Sequence, residues 1–214
     1  MDPGIILKVV FVIYSIILHE IAHGWVALKH GDETARDAGR LTLNPVPHID
    51  PMGTIIFPLM QLLTAGTVFL GWAKPVPVNP LNLRPRVRGD ILVSIAGVVV
   101  NLSIATLFAV LWGVPGLVRP GSKLEEAVEV AIIANVALAI FNLLPIPPLD
   151  GSHVMKYLLP PDLRAQYERI GFYGTIILLV LIVSGALGRI LWPIVGRILF
   201  VMGRLRDAVE RALS

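Results

Sequence analysis

The sequence predicts an all-α, polytopic membrane protein, and three observations predict it. Of its 214 residues 55% are hydrophobic and only 15% are charged, where soluble domains carry about a quarter charged residues. The mean hydropathy is +0.76. The apolar residues are gathered into long runs, at 4–28, 54–73, 91–118, 127–149, 171–187 and 190–203, separated by polar, Pro- and Gly-containing stretches. A bilayer core takes about 20 helical residues per crossing, so the chain holds about five or six transmembrane helices, with short extended or re-entrant segments between them. The net charge of +3 fits basic cytoplasmic loops. The arginines lie between apolar blocks and not among aromatics, so nucleic-acid binding is not expected. The absence of cysteine excludes disulfides, thiolate metal sites and cysteine nucleophiles.

The first run lacks a basic leading region and a small-residue cleavage site, and reads as a retained span. Residues 29–53 are loop, with a short strand expected at "GRLTLNP" (39–45) and Asp50 as N-cap of the following helix. In "KPVPVNPLNLRPRVRGD" (74–90) the prolines at 75, 77, 80 and 85 enforce extended backbone. The run 91–118 contains Asn101; the run 127–149 contains Glu129, Asn135 and Asn142. An amphipathic stretch leads to 170, and a span follows at 171–187. In the last run Arg189, Arg197, Arg204 and Arg211 share one helical face, which suits either an interfacial helix or a span. No internal repeat is visible.

The first span carries "IILHEIAHGW" (16–25). His19 and His23 are four apart, so on a helix both imidazoles leave one face about a turn apart and can share a zinc ion. Glu20 lies beside that point, where a general base for metal-activated water belongs. Two histidines and a glutamate in a span are costly if they do nothing. A third ligand is needed. His30 reads as a solvated helix end, and His48 as part of a turn. Asp150 ends the apolar run "FNLLPIPPLDG" with no basic partner nearby, which zinc ligation would explain. His153, three residues on, is either an alternative ligand or a group that orients Asp150.

"HEIAH" (19–23) and "NLLPIPPLDG" (142–151), in this order in a membrane chain, resemble the site-2 protease family of intramembrane zinc metalloproteases. "GRLTLNPVPHIDPMGT" and "GWAKPVPVNP" are similar to stretches of its compact members. "AGVVVN" (96–101) departs from the family's A-G-P-x-x-N at Val98 but keeps Asn101. Nothing in these residues resembles the PDZ or CBS domains of some members. The resemblance implies that His19, His23 and Asp150 bind one Zn2+ and that Glu20 is the catalytic base. It further implies that Asn142 and, more loosely, Asn101 meet the substrate, and that membrane-spanning proteins are cleaved in or near the bilayer. On this reading residues 1–170 form the protease core and 171–214 a C-terminal span plus a final amphipathic or transmembrane helix. A bacterial or archaeal cell membrane is the expected location. The competing reading is a non-proteolytic membrane metal-binding protein or transporter, in which ligands on repeated halves would be expected.

Ligation by Asp150 sets a constraint on topology. The helices bearing His23 and Asp150 must end on one face, so the chain from 29 to 90 begins and ends on that face. Either 54–73 is re-entrant, or it crosses and the proline-rich stretch returns through the interior. Placing the basic residues of 29–40, 84–88 and 156–169 together satisfies the positive-inside rule with the active site toward the cytoplasm. Strand edges at 39–45 or 75–79 could accept an unwound substrate.

Overall fold

The computed structural model describes residues 2–65 and 71–214, and among them it contains helices and no strands. The helices are α1 (Pro3–Lys29), α2 (Thr34–Asp37), α3 (Phe57–Ala65), α4 (Arg86–Gly113), α5 (Lys123–Asn142), α6 (Asp150–Leu158), α7 (Pro161–Ile170), α8 (Gly174–Val183) and α9 (Ala186–Leu213). Among the described residues four stretches are long and apolar enough to cross a membrane: α1, α4, Pro161–Val183 and α9. Helix α5 packs among α1, α4 and α9 and supplies a further 20-residue rod, in keeping with the five or six expected.

Local signals set the helix ends. The Asp2 carboxylate accepts the Gly4 N–H at 2.9 Å, with Pro3 at the first helical position. The Ser122 hydroxyl accepts the Glu125 N–H and starts α5. Gly31, at φ 93°, lets the chain turn out of α1. The bundle is cored by Ala105, Ala109, Val128, Ile132, Val136 and Val195. Small side chains allow helices in lipid to approach closely, and polar groups cross-link them. Asn135 donates to Ser15 at 2.7 Å between α5 and α1, deep in the bundle.

Helices α1 and α5 are parallel. Their N-terminal ends are tied by Lys8 to Glu126 at 2.7 Å and Lys123 to Asp2 at 3.5 Å. Helix α4 runs against them, and its start lies beside the end of α1, where the Arg84 N–H donates to the His30 carbonyl at 2.7 Å. Residues 29–90 therefore begin and end together, as the ligand constraint required. Within that stretch Asp50 caps a π-helical turn, Pro51–Ile56, that continues into α3. Residues 66–70 of the expected 54–73 run lie outside the described residues. By Trp72 the chain is back beside Gly53: the Trp72 N–H donates to the Gly53 carbonyl, and Thr54 donates to the Trp72 carbonyl. The chain at Trp72 is thus back beside the start of this run, and the proline-rich stretch that follows is no returning crossing.

Two sequence expectations differ from the structure. No strand forms at 39–45, which is a series of bends; no neighbouring strand pairs with it among the described residues. The run 127–149 is not one helix. It ends at Asn142, a looped segment follows, and Asp150 opens α6. Pro145, Pro147 and Pro148 explain the break, because the residue before a proline is pushed out of the helical region.

Candidate metal centre

Helix α1 presents His19 and His23 on its face toward α4, 7% and 8% exposed. Their Nε2 atoms lie 3.0 Å apart. The looped segment after α5 brings Asp150 to the same point, with its Oδ2 3.3 Å from each Nε2. These three residues form a group able to hold a metal ion. Glycines make the approach possible. A Cβ on Gly97 of α4 would stand 2.6 Å from His23 Nε2 and closer still to the His19 ring; one on Gly151 would strike the backbone of Leu143 and Leu144.

The outer hydrogen bonds decide the state of the rings. His23 Nδ1 is 2.7 Å from the Val93 carbonyl and His19 Nδ1 is 2.9 Å from Asn101 Oδ1. Both partners are acceptors, so each Nδ1 carries a proton and each Nε2 is the nitrogen left to ligate. Asp150 Oδ2 is buried without a hydrogen-bond partner. Two imidazole nitrogens and a carboxylate oxygen thus converge on one point, an arrangement suited to a metal ion. Two ligands roughly 2.0–2.1 Å from a tetrahedral zinc ion lie about 3.3 Å apart, which matches the observed spacings. The donor set fits zinc.

Glu20, on the next position of α1, accepts the Val76 N–H through Oε2 at 2.7 Å. Residues 74–83 form a strap across this end of α1. Val76 and Leu83 are buried, and Gly24 leaves room, since a Cβ there would meet Val76 Cγ1 at 2.9 Å. Asp32, fully buried, anchors the far end of the strap by accepting from Asn79 N at 2.7 Å, Asn82 Nδ2 at 3.0 Å and the Thr34 hydroxyl at 2.5 Å. Burial pushes its carboxyl up, but the bonds from Thr34, Asn82 and Asn79 outweigh this and hold it below the usual carboxylate range.

Helix α6 is tied to α4 through Asp90, 2% exposed. Lys156 Nζ lies 2.6 Å from its Oδ2, the Tyr157 hydroxyl donates to the same oxygen at 2.8 Å, and His153 Nδ1 is 3.5 Å from Oδ1. Burial and the adjoining Asp90 carboxylate push the Tyr157 phenol up to about 12.

The other sequence candidates fall as follows. Asn101 is completely buried, with its Oδ1 against the His19 ring. Asn142 bonds back to the Leu138 carbonyl at 3.0 Å, near the end of α5. His153 meets Asp90 and not Asp150. His48 is buried and bonds to the Thr42 carbonyl; His30 bonds to the Arg84 carbonyl. Sequence reasoning missed Gly97, Asp90 and Arg40. Gly97 and Asp90 sit two turns apart on the α4 face toward the site, a spacing that could have flagged them.

A membrane helix bundle that focuses two imidazoles and a carboxylate on one point, with a glutamate alongside, has the build of a membrane metalloprotease. The profile of peptidase family M50 matches residues 7–182, and the chain belongs to that family, the site-2 proteases. It is 43% identical over 192 residues to the candidate zinc metalloprotease YwhC of Bacillus subtilis, covering 86% of this chain and 84% of that one. It is 31% identical over 180 residues to the candidate zinc metalloprotease Rip2 of Mycolicibacterium smegmatis, covering 82% of this chain and 66% of that one. The candidate zinc metalloprotease MJ0611 of Methanocaldococcus jannaschii is 30% identical over 152 residues, 71% of this chain and 70% of that one. No solved structure matches the chain at a comparable level.

Proposed function

We propose that the protein is an intramembrane zinc endopeptidase that cleaves membrane-spanning substrate proteins in or near their transmembrane segments. The observation that carries this reading is the convergence of His19 Nε2, His23 Nε2 and Asp150 Oδ2 beside Glu20. His19, His23 and Asp150 hold one zinc ion. When bound there, zinc would supply the chemistry of a Lewis acid, lowering the pKa of water and polarising a carbonyl. Glu20 accepts the proton of the attacking water and returns it to the departing amine nitrogen. Asn101 and the Val93 carbonyl keep both imidazoles in the ligating tautomer. Gly97 lets the rings pack against α4.

A helix hides its carbonyls, so the substrate must unwind before it can be cut. Of the two stretches expected to receive it, 75–79 has its Val76 and Asn79 N–H groups engaged internally. The bends at 39–45, with Leu43 exposed, suit strand addition better. Asn142 lies near the looped segment that leads to Asp150 and is assigned to the substrate strand. Residues 1–170 constitute the protease core and 171–214 the C-terminal helices. The basic residues of 29–40, 84–88 and 156–169 put the site toward the cytoplasm of a bacterial or archaeal cell.

The test uses purified wild type and Glu20→Gln. Bound zinc is measured in both, together with cleavage of membrane-spanning peptides in proteoliposomes. Zinc retained with cleavage lost in Glu20→Gln is the expected result; equal cleavage by both would overturn the reading.

A further inference from the structure

Glu20 is held by a single backbone donor. Val76 stands between Pro75 and Pro77, neither of which has an N–H, and its own N–H goes to Glu20 Oε2 at 2.7 Å. The other carboxylate oxygen accepts no hydrogen bond among the described residues. Behind this donor lies Arg40, 5% exposed. Its Nη2 donates to the Lys74 carbonyl at 2.6 Å and its Nη1 to the Pro75 carbonyl at 3.2 Å. Its Nε is buried without a partner.

A buried guanidinium normally faces a carboxylate, because desolvating the charge is otherwise poorly compensated. Here both of its partners among the described residues are carbonyls of the two residues that precede Val76. The strap does not need Arg40 merely to stay in place, since Val76 and Leu83 are packed and Asp32 anchors its far end. What Arg40 adds is the orientation of the Pro75–Val76 peptide, whose carbonyl it grips and whose N–H reaches Glu20. The two groups of that one peptide plane are engaged on opposite sides, by a cation and by an anion.

We propose that Arg40, acting through the Pro75–Val76 peptide, is a positioning residue for Glu20. The guanidinium fixes the plane of the peptide, its N–H pins Oε2, and Oε1 is left for proton transfer. The inference rests on the protease reading above. Outer hydrogen-bond partners of metal-site groups are typically worth about 10–100-fold in activity, and the same range is expected here, in kcat.

The experiment compares five variants of the full chain with wild type: Val76→Ala, Val76→Pro, Arg40→Gln, Arg40→Lys and the double variant that combines Val76→Pro with Arg40→Gln. Each is zinc-loaded and assayed on a membrane-spanning peptide, with bound zinc, kcat and KM recorded. Val76→Ala removes the side chain and keeps the N–H; Val76→Pro removes the N–H. The expected result is a kcat for Val76→Pro at least about tenfold below that of Val76→Ala, with KM and zinc content matched between them. Arg40→Gln falls by a similar factor, Arg40→Lys recovers part of it, and adding Arg40→Gln to Val76→Pro costs little more, because both break one contact. Equal or higher kcat in Val76→Pro, or losses that track zinc content, would overturn the proposal. If Val76→Pro does not fold, Arg40→Gln decides: unchanged kcat at full zinc content overturns it. Wild-type cleavage that survives Glu20→Gln is a separate outcome and removes the protease reading itself.

Discussion

Gly97→Ala separates the metal site from the fold. Glycine in a helix interior is less stable than alanine by roughly 0.5–1 kcal/mol, so by backbone propensity alone the substitution should stabilise α4. The new Cβ, however, would stand 2.6 Å from His23 Nε2, against 3.4 Å or more for ordinary contact. Restoring ordinary contact takes a shift of about 0.8 Å between the ring and α4. His19 is approached more closely still, and both rings are anchored from behind by Asn101 and the Val93 carbonyl, so neither can retreat without breaking that bond. Zinc–ligand distances tolerate only about 0.2 Å. A displacement several times larger should lower zinc affinity by at least about 100-fold, or roughly 2.8 kcal/mol. Competition against a chromophoric chelator measures this, and circular dichroism of the zinc-free protein checks that the helices persist. Zinc affinity within about threefold of wild type, a difference under roughly 1 kcal/mol, would refute the reasoning.

Asn101→Leu removes the acceptor that fixes the His19 tautomer and should weaken zinc binding by about 10–100-fold. Asn101→Asp keeps an acceptor and should recover much of it, and equal affinity in both variants would contradict the assigned role. Asp90→Asn leaves Lys156 and Tyr157 without their carboxylate; α6 should loosen, zinc affinity drop by about tenfold, and the Tyr157 phenol return from about 12 toward its ordinary value. Ultraviolet titration of tyrosinate reads the second effect, and an unmoved transition argues against the tether. Asp32 is held below the usual carboxylate range, so its contribution to stability is present above the unfolded value, about 3.9, and is lost as pH falls through the folded one. Melting temperature should therefore decline more steeply below about pH 4 in wild type than in Asp32→Asn; parallel curves would dismiss the contribution.

The candidate ligands were legible because their chemistry conflicts with their setting. Two histidines a helical turn apart, and a lone aspartate closing an apolar run, have few explanations in a membrane chain. The residues that hold those ligands in place gave no such conflict. Gly97 is an ordinary small residue until the His19 and His23 rings are seen against it. Asp90 at the head of α4 reads as a boundary charge, and its three partners lie more than sixty positions away in α6. Arg40 was counted among the basic loop residues, although it is buried; only the folded strap supplies the carbonyls that hold it there. The helix break before Asp150 was written in Pro145, Pro147 and Pro148, but the hydropathy of that run masked it. The strand at 39–45 failed for want of a neighbour, since a strand gains little without one.

The strap's inward commitments bear on how a substrate is read. Val76 and Asn79 give their N–H groups to Glu20 and Asp32, and Pro75 and Pro77 have none, so only Val78 keeps a donor free in 75–79 among the described residues. Leu41, Thr42 and Leu43 donate to no partner there. A single open edge can pair with an added chain in either sense, so the strap's commitments bear on which segment is open and not on the direction of a peptide. A substrate taken as an added strand would therefore meet the open donors of residues 41–43 and find those of Val76 and Asn79 in the strap already spent.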